Sequence, residues 1–250
     1  MIIIKTKEEI EKIARAGVIV AETHHRLREW IRPGVTTMEL DRLVEEFQRG
    51  EGAIPAQKGY NGFPYAICAS LDDEICHGFP SNTPLREGAL LKVDMVVELD
   101  GYMADSAWSY AVGKASERVE RLMRVTRECL YKGIEQAVPG ARLGDIGHAI
   151  QTHAEANGYQ VVRDFVGHGI GKEMHEDPKV LHYGQPGRGQ RLQKGMVLTI
   201  EPMINEGAWH CKLDDNQWTA RTVDGSLSAQ YEHTIAITEN GPVILTEQKP

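Results

Sequence analysis

The sequence predicts an α+β fold of two related halves, each with helices followed by strands. Apolar residues recur at helical spacing early in each half, and they alternate at a period of two further along. A Pro-Gly turn also recurs with its surroundings in the second half. The 250 residues fit one large domain or two small halves packed as one. We expect a single domain over 1–250, with halves of about 1–112 and 113–250.

The predicted helices have clear start signals. From Thr6 to Glu9, a hydroxyl at the cap and a carboxylate three residues later form a capping box. Pro33-Gly34 then breaks the chain, and a second capping box from Thr36 to Glu39 predicts another helix that stops near Gly50. A long helix is predicted from roughly Ser116 to Gln136.

An internal repeat relates the two halves. A Pro-Gly turn, an apolar helix face and a later glycine occur twice, 106 positions apart. The matched pairs are Pro33 and Pro139, Gly34 and Gly140, Leu40 and Ile146, Val44 and Ile150, and Gly52 and Gly158. Because Pro-Gly turns are common in unrelated chains, the repeat favours a duplication without establishing it.

Composition argues against several classes of function. No apolar stretch approaches the ~20 residues of a membrane span, and the N-terminus lacks the pattern of a signal peptide. The net charge of −8 disfavours nucleic-acid binding, which needs a cationic face. The four cysteines form no C-x-x-C pair, so neither a zinc finger nor a redox motif is indicated. We expect a cytoplasmic protein with reduced thiols.

Two aspartates are predicted to share one face of a β-hairpin. Apolar residues occupy every second position over 91–99, and Asp100-Gly101 is a strong two-residue turn. That turn places Asp94 opposite Ala107 and makes Asp105 its diagonal neighbour, with backbones roughly 7–8 Å apart. Carboxylates this close repel each other unless a cation or a proton intervenes. The alternative is a pair of solvated acids on an exposed sheet face.

Two histidines lie in glycine- and proline-rich surroundings. His168 stands among three glycines, and His175 begins the sequence His-Glu-Asp-Pro seven residues later. Glycine removes side-chain bulk and lets the backbone approach a ligand. A tight turn without function is the alternative, but the pair of histidines favours a binding loop.

Two glutamates accompany predicted strands over 196–200 and 230–238. Glu201 follows the first strand directly before Pro202, which ends the ladder there, and Glu232 lies near the start of the second. A carboxylate at a buried strand end is costly unless it is paired or metal-bound. Each glutamate taken alone is equally compatible with a salt bridge.

Together these residues supply four carboxylates and one imidazole, and the carboxylates would neutralise two divalent cations. A ligand set rich in oxygen, with one nitrogen and no sulfur, suits Mn, Fe(II), Co or Zn rather than Cu(I). Two such ions roughly 3.5–4 Å apart can share a hydroxide and clamp a substrate carbonyl. The implied chemistry is hydrolysis.

Seven segments over nearly the whole chain resemble the methionine aminopeptidases of the bacterial type I form. They are Cys76-His-Gly-Phe-Pro80, Lys92-Val-Asp94, Ala104-Asp105-Ser106, Gly167-His168-Gly-Ile-Gly171, His175-Glu-Asp-Pro178, Thr199-Ile-Glu201-Pro-Met203 and Gln230-Tyr-Glu232-His-Thr234. The resemblance implies a pita-bread fold, whose pseudo-symmetric halves pack helices on a curved, mostly antiparallel sheet. It also implies a monomeric enzyme that removes the N-terminal methionine of nascent proteins.

The resemblance assigns roles to the candidate ligands of two divalent metal ions. Asp94 would chelate one ion and His168 would bind the other, while Asp105 and Glu232 would bridge both. Glu201 would bind a metal and serve as general acid and base for the bridging water.

By the same resemblance, two histidines would act on the substrate. His175 would polarise the scissile carbonyl, and His77 would assist departure of the amine. The methionine pocket would be lined by Tyr60, Phe63, Cys68 and Trp218, with Met174 near its edge. A role in the core is the alternative for each pocket residue.

Three positions depart from the family pattern. Ala104 replaces a usual glycine, Ser106 a usual threonine, and Met174 a residue that is often aromatic. Because Ser106 keeps the hydroxyl, we expect the site to be retained, whereas Met174 leaves the pocket's shape open.

Two other functions are alternatives. An Xaa-Pro aminopeptidase or prolidase shares the fold and ligand types, but it normally carries an N-terminal domain for which a first helix near residue 6 leaves no room. A catalytically inactive binding module is disfavoured because all five ligand positions are filled. Expected partners are the N-terminal methionine of nascent peptides and, transiently, the ribosome, but neither nucleic acid nor membrane.

Overall fold

The computed structural model describes residues 1–248 and has an α+β architecture, as predicted. The helices are α1 (Lys7–Trp30), α2 (Thr37–Gly50), α3 (Glu117–Glu135) and α4 (Leu143–Ala156). The strands are β1 (Ile54–Pro55), β2 (Cys68–Leu71), β3 (Glu74–Cys76), β4 (Leu90–Leu99), β5 (Tyr102–Ala111), β6 (Gln160–Val161), β7 (Gly167–Gly169), β8 (Glu176–Val180), β9 (Val197–Ile200), β10 (Met203–Asn205), β11 (Cys211–Leu213), β12 (Ala220–Thr222), β13 (Ser228–Gln230), β14 (His233–Thr238) and β15 (Gly241–Ile244). None of the helices in this range is both long and apolar enough to cross a membrane.

The strands form four sheets, and their pairings within residues 1–248 are antiparallel. The first sheet joins β4 to β5 on one edge and to β1 and β2 on the other. The second-half sheet has the order β15-β14-β9-β7-β8, and the smaller sheets are β13-β10-β6 and β11-β12-β3. Helix α1 packs on β4 and β5, whereas α3 packs on α4 and β13.

The helix starts are those predicted from the capping boxes. The hydroxyl of Thr6 accepts from the backbone N–H of Glu9, and the Glu9 carboxylate accepts from the backbone N–H of Thr6. Thr36 and Glu39 form the same reciprocal pair at the start of α2. Each box satisfies backbone N–H groups that a helix start would otherwise leave without partners.

The second helix of each half and the glycines around it recur at the predicted offset. Helix α4 has the bounds of α2 shifted by 106 positions. The glycine of each Pro-Gly turn adopts a left-handed conformation, with φ of 91° at Gly34 and 90° at Gly140. The glycines after the helices do the same, with φ of 76° at Gly52 and 84° at Gly158. Glycine is favoured at such positions because it has no Cβ to clash.

The β4–β5 hairpin has the predicted register. Asp94 pairs with Ala107 and Asp105 pairs with Val96, so the two aspartates are diagonal neighbours on one face. This face is not exposed to solvent, because even the long side chain of Lys92 on it is only 1% exposed. The alternative of two solvated acids on an exposed sheet face is therefore excluded. The Lys92 ammonium donates to the Asp72 carbonyl oxygen at 3.0 Å, and burial lowers its pKa to about 8.

The strand predicted over 230–238 is not continuous, and this prediction was wrong. It divides into β13 and β14 at Tyr231-Glu232, opposite the break between β9 and β10 at Glu201-Pro202. The register is the same on both sides of the break, so Glu201 lies across from Glu232. The ladder is interrupted because Pro202 has no N–H to donate, and because the Glu232 N–H donates instead to the Ala107 carbonyl at 2.8 Å.

Hydroxyl groups join β5 to these interrupted strands. The Thr234 hydroxyl accepts from the Asp105 N–H at 3.0 Å and donates to the Asp105 carbonyl at 2.8 Å. Ser106, the departure from the usual threonine, donates to the Glu232 carbonyl at 2.7 Å. Side chains thereby replace the backbone ladder where the first sheet meets the second half, and they hold the backbones of two candidate ligands.

Replacing Ser109 tests this junction. Its hydroxyl donates to the Gln230 carbonyl at 2.7 Å and accepts from the Gln230 N–H at 3.1 Å. Ser109→Ala leaves both buried groups without partners, so we expect the free energy of unfolding to fall by about 2–3 kcal/mol in urea denaturation. Ser228→Ala is the matched control, because the buried Ser228 hydroxyl has no hydrogen-bond partner among residues 1–248. Equal losses for the two variants would contradict the proposed junction.

Candidate metal centre

Five side chains from both halves meet in the middle of the molecule. Asp94 comes from β4 and Asp105 from β5, His168 is the central residue of β7, and Glu201 and Glu232 lie at the paired strand breaks. These are the five residues that the sequence predicts as metal ligands. All five line one cavity of 230 Å³. At a strand break the backbone does not continue the hydrogen-bonded ladder, and the side chain there can enter the cavity.

The ligand atoms lie close enough to share one ion. The Nε2 atom of His168 is 3.7 Å from an oxygen of Asp105 and 3.5 Å from an oxygen of Glu201. One ligand atom each from Asp105, His168 and Glu232 lie within 4.8 Å of one another. Such a cluster can surround a cation at the 2.0–2.2 Å ligand distances typical of zinc.

The four carboxylates carry raised pKa values. Burial is the largest cause for each of them. It raises the pKa of Asp94 to about 6. Burial together with the charges of Asp94 and Glu201 raises the pKa of Asp105 well above its usual range. The same causes, with Asp105 as neighbour, raise the pKa of Glu232. The cluster therefore strongly favours a positive ion or a proton.

Two carboxylate oxygens without hydrogen-bond partners also indicate a site for a positive ion. Oδ1 of Asp105 and Oε1 of Glu232 are buried and have no hydrogen-bond donor within residues 1–248. Buried polar atoms in folded proteins are normally paired, so an unpaired oxygen on each of two neighbouring ligands fits a divalent cation. Oxygen-rich donors with one imidazole suit such an ion well.

His168 is prepared to coordinate through one nitrogen. Its Nδ1 lies 2.9 Å from the Gly169 carbonyl oxygen. A carbonyl can only accept, so Nδ1 carries the proton and Nε2 presents a lone pair to the carboxylates. Burial lowers the pKa of His168 to about 4, which keeps the ring neutral. Its backbone N–H donates to the Thr199 hydroxyl at 3.0 Å, and that hydroxyl donates to Glu201 at 2.8 Å.

The two histidines assigned to the substrate also reach the cavity. The His175 ring lies 4.4 Å from the His168 ring, measured between centroids. His77 has a left-handed backbone with φ of 56°, and its ring stands edge-on to Phe165 at 5.3 Å. Burial lowers the pKa of His77 to about 4 and also lowers that of His175. Both rings are therefore neutral near pH 7.

The five predicted pocket residues lie in four different surroundings. Phe63 and Trp218 form an edge-on pair with centroids 5.2 Å apart, and Cys68 lies opposite Asp94 in the β2–β4 ladder. Tyr60 contacts His175 through its hydroxyl. Met174 is buried in the main hydrophobic core, so a place at the pocket edge stays a prediction for it.

The structure adds residues that the sequence did not single out. Phe165 and Met203 line the cavity. Met203 ends a segment that carried the resemblance, and Phe165 lies two residues before another. Thr199 was recognisable in principle, since it shares a strand face with Glu201. His182 gave no signal. It is fully buried, and its Nε2 accepts from the Glu201 backbone N–H at 3.1 Å. This hydrogen bond holds the backbone of a candidate ligand.

Comparison with known proteins identifies the family. The model of metallopeptidase family M24 matches residues 11–239. The chain belongs to metallopeptidase family M24. A methionine aminopeptidase from Clostridium acetobutylicum is 53% identical over 247 residues, which cover 98% of this chain and 99% of that protein. The predicted resemblance is confirmed.

Solved structures confirm the pita-bread fold. The crystal structure of methionine aminopeptidase from Rickettsia prowazekii matches with a TM-score of 0.98 and 44% identity, over 99% of this chain and 100% of that one. A prolidase from Pyrococcus horikoshii matches with a TM-score of 0.79 and 24% identity. There the match covers 99% of this chain but 64% of the prolidase, and it shows a shared fold alone.

The Asp105→Asn variant distinguishes two effects of the cluster: repulsion between its carboxylates, and its affinity for metal. In metal-free protein at pH 7 the variant removes one of four crowded carboxyl groups that oppose each other's ionisation, so we expect the free energy of unfolding to rise by on the order of 1 kcal/mol. Addition of Mn²⁺ should stabilise the wild type strongly and this variant much less. Denaturant titrations with EDTA and with Mn²⁺ measure both effects. Asp100→Asn, in the exposed hairpin turn, is the control, and a variant destabilised without metal would contradict the account.

Proposed function

We propose that this chain releases the N-terminal methionine of peptides and nascent proteins by hydrolysis of the first peptide bond. The observation that carries the proposal is the full-length likeness to methionine aminopeptidases, combined with a cavity in which all five candidate ligands meet. The prolidase alternative is less well supported, because the prolidase match is lower in identity and covers less of that protein.

The proposed cofactor is a pair of divalent cations, drawn from Co, Mn, Fe(II) and Zn. Asp94 would hold one ion and His168 the other, with Asp105 and Glu232 shared between them and Glu201 completing the set. Four carboxylates line one cavity, and two of them have unpaired oxygens. This arrangement supports the binding of more than one positive charge. Ions held there would polarise the substrate carbonyl and lower the pKa of a water molecule.

Glu201 is the proposed general acid and base. Its carboxylate lies at the cavity wall with a pKa raised by burial, so it can accept a proton from water and return it to the departing amine. The Thr199 hydroxyl donates to one oxygen of Glu201 at 2.8 Å and fixes its orientation. The second oxygen is then the one that accepts the proton and returns it.

His175 and His77 are the proposed substrate contacts. A neutral imidazole that carries a proton on the nitrogen facing the cavity can donate to the carbonyl oxygen as negative charge develops there. His77, which also lines the cavity and stands edge-on to Phe165, is proposed to contact the nitrogen of the bond that breaks. Burial lowers the pKa of both rings and therefore favours their neutral forms.

The methionine side chain is proposed to enter between Phe63, Trp218 and Cys68, with Tyr60 and Met174 at the margins. An unbranched thioether packs well against aromatic edges. We further infer one catalytic domain over 1–250 with halves of 1–112 and 113–250, acting as a cytoplasmic monomer that meets its substrates near the ribosome.

Peptide hydrolysis tests this proposal. Protein loaded with Co²⁺ or Mn²⁺ is incubated with Met-Ala-Ser and, separately, with Ala-Pro-Ala, and the released amino acids are measured by chromatography. We expect free methionine from the first peptide and little cleavage of the second, and we expect EDTA to abolish release. Cleavage of Ala-Pro-Ala without methionine release would instead support the prolidase alternative.

Glu201→Gln is the matched variant for the same assay. It keeps one oxygen that can bind metal but cannot transfer the proton, so we expect some metal to remain bound and methionine release to fall by at least about 100-fold. A variant that keeps the wild-type rate would show that Glu201 is not the acid and base.

A further inference from the structure

We propose that Tyr60 is a positioning residue for His175, whose tautomer it sets by donating its hydroxyl hydrogen to Nδ1. The proton of the imidazole is then held on Nε2, the ring nitrogen that Tyr60 does not contact. This inference deepens the proposed function, on which it rests, and it gives Tyr60 a role distinct from lining the methionine pocket.

The geometry places the two groups in direct contact. The Tyr60 hydroxyl oxygen lies 2.9 Å from Nδ1 of His175, and the two ring centroids are 5.4 Å apart. His175 lines the cavity together with His168, and the contact at Nδ1 leaves Nε2 as the ring nitrogen available to a substrate there.

The chemistry decides which partner donates. A neutral imidazole has one N–H and one lone pair, and a tyrosine hydroxyl can bond to either. His175 can donate to a substrate carbonyl from Nε2 only when Nδ1 accepts, and Tyr60 must then be the donor. The neighbouring His168 shows the opposite arrangement, because its Nδ1 faces the Gly169 carbonyl, which can only accept. Adjacent histidines are thereby held in opposite tautomers, one suited to bind metal and one to donate a hydrogen bond.

The turn that carries Tyr60 has a specific backbone conformation and is attached to the first sheet. Three residues around it adopt left-handed conformations, with φ of 91° at Gly59, 49° at Asn61 and 87° at Gly62. The side-chain amide of Gln57, just before the turn, donates to the Cys68 sulfur at 3.3 Å and lies 3.4 Å from the Asp94 carbonyl oxygen. The turn is therefore tied to the strand that supplies a candidate metal ligand.

Tyr60→Phe removes the hydroxyl and keeps the ring. Tyr60 is 36% exposed, so this change should leave the fold intact. In zinc-loaded protein acting on Met-Ala-Ser, we expect kcat to fall by about three- to tenfold, because only the His175 molecules that carry the proton on Nε2 can then donate to the transition state. KM should stay within about twofold. Tyr131→Phe is the control, because Tyr131 has the same exposure and its hydroxyl approaches a histidine ring at 3.4 Å outside the cavity.

Nitrogen NMR of the same zinc-loaded protein reads the tautomer directly. In ¹⁵N-histidine-labelled protein, with His175 assigned from its missing signals in His175→Gln, we expect Nδ1 without a proton and Nε2 protonated. In Tyr60→Phe the Nδ1 signal should shift or the two tautomers should mix. A protonated Nδ1 in the wild type, or unchanged kcat and an unchanged spectrum in the variant, would overturn the proposal. If no methionine is released by the wild type, the proposed function fails, while the spectrum still decides the tautomer.

Discussion

The repulsion among four crowded carboxylates, of which Asp105 and Glu232 are buried, is the constraint on which the rest of this structure depends. Asp94, Asp105, Glu201 and Glu232 are brought into one cavity with raised pKa values, and two of their oxygens have no donor among residues 1–248. A fold would not gain stability from such a cluster by itself. The hairpin, the paired strand breaks and the hydroxyl junctions therefore hold in place an arrangement whose free energy a bound cation lowers.

Hydrogen bonds from neighbouring groups fix the orientation of the candidate ligands. The Gly169 carbonyl selects the His168 tautomer, Thr199 links His168 to Glu201, and Thr234 holds both backbone groups of Asp105. Such partners fix ligand direction and affinity in metal sites. The substrate-facing histidines differ, since burial lowers their pKa values and, for His175, the proposed contact with Tyr60 decides which nitrogen carries the proton.

Much of this arrangement was predictable because it depends on local rules. Capping boxes located α1 and α2, and a two-residue turn determined the register that makes Asp94 and Asp105 neighbours. The break at Tyr231-Glu232 was missed, because the competing partner of the Glu232 N–H lies on β5, far away in sequence. The support of Glu201 by His182 and the burial of Lys92 were missed for the same reason: a single sequence does not show contacts between distant segments. The departures at Ala104 and Ser106 are accommodated, since Ala104 is buried and Ser106 keeps its hydrogen bond.

An anomalous-difference map from crystals grown with Mn²⁺ tests the central claim most directly. The account predicts two peaks within the cavity, with His168 on one side, Asp94 on the other, and oxygens of Asp105 and Glu232 in contact with both. Loss of both peaks in crystals of the Asp105→Asn variant would agree with a shared ligand. A wild-type map without a peak among these five residues, at a manganese concentration that supports methionine release, would contradict it.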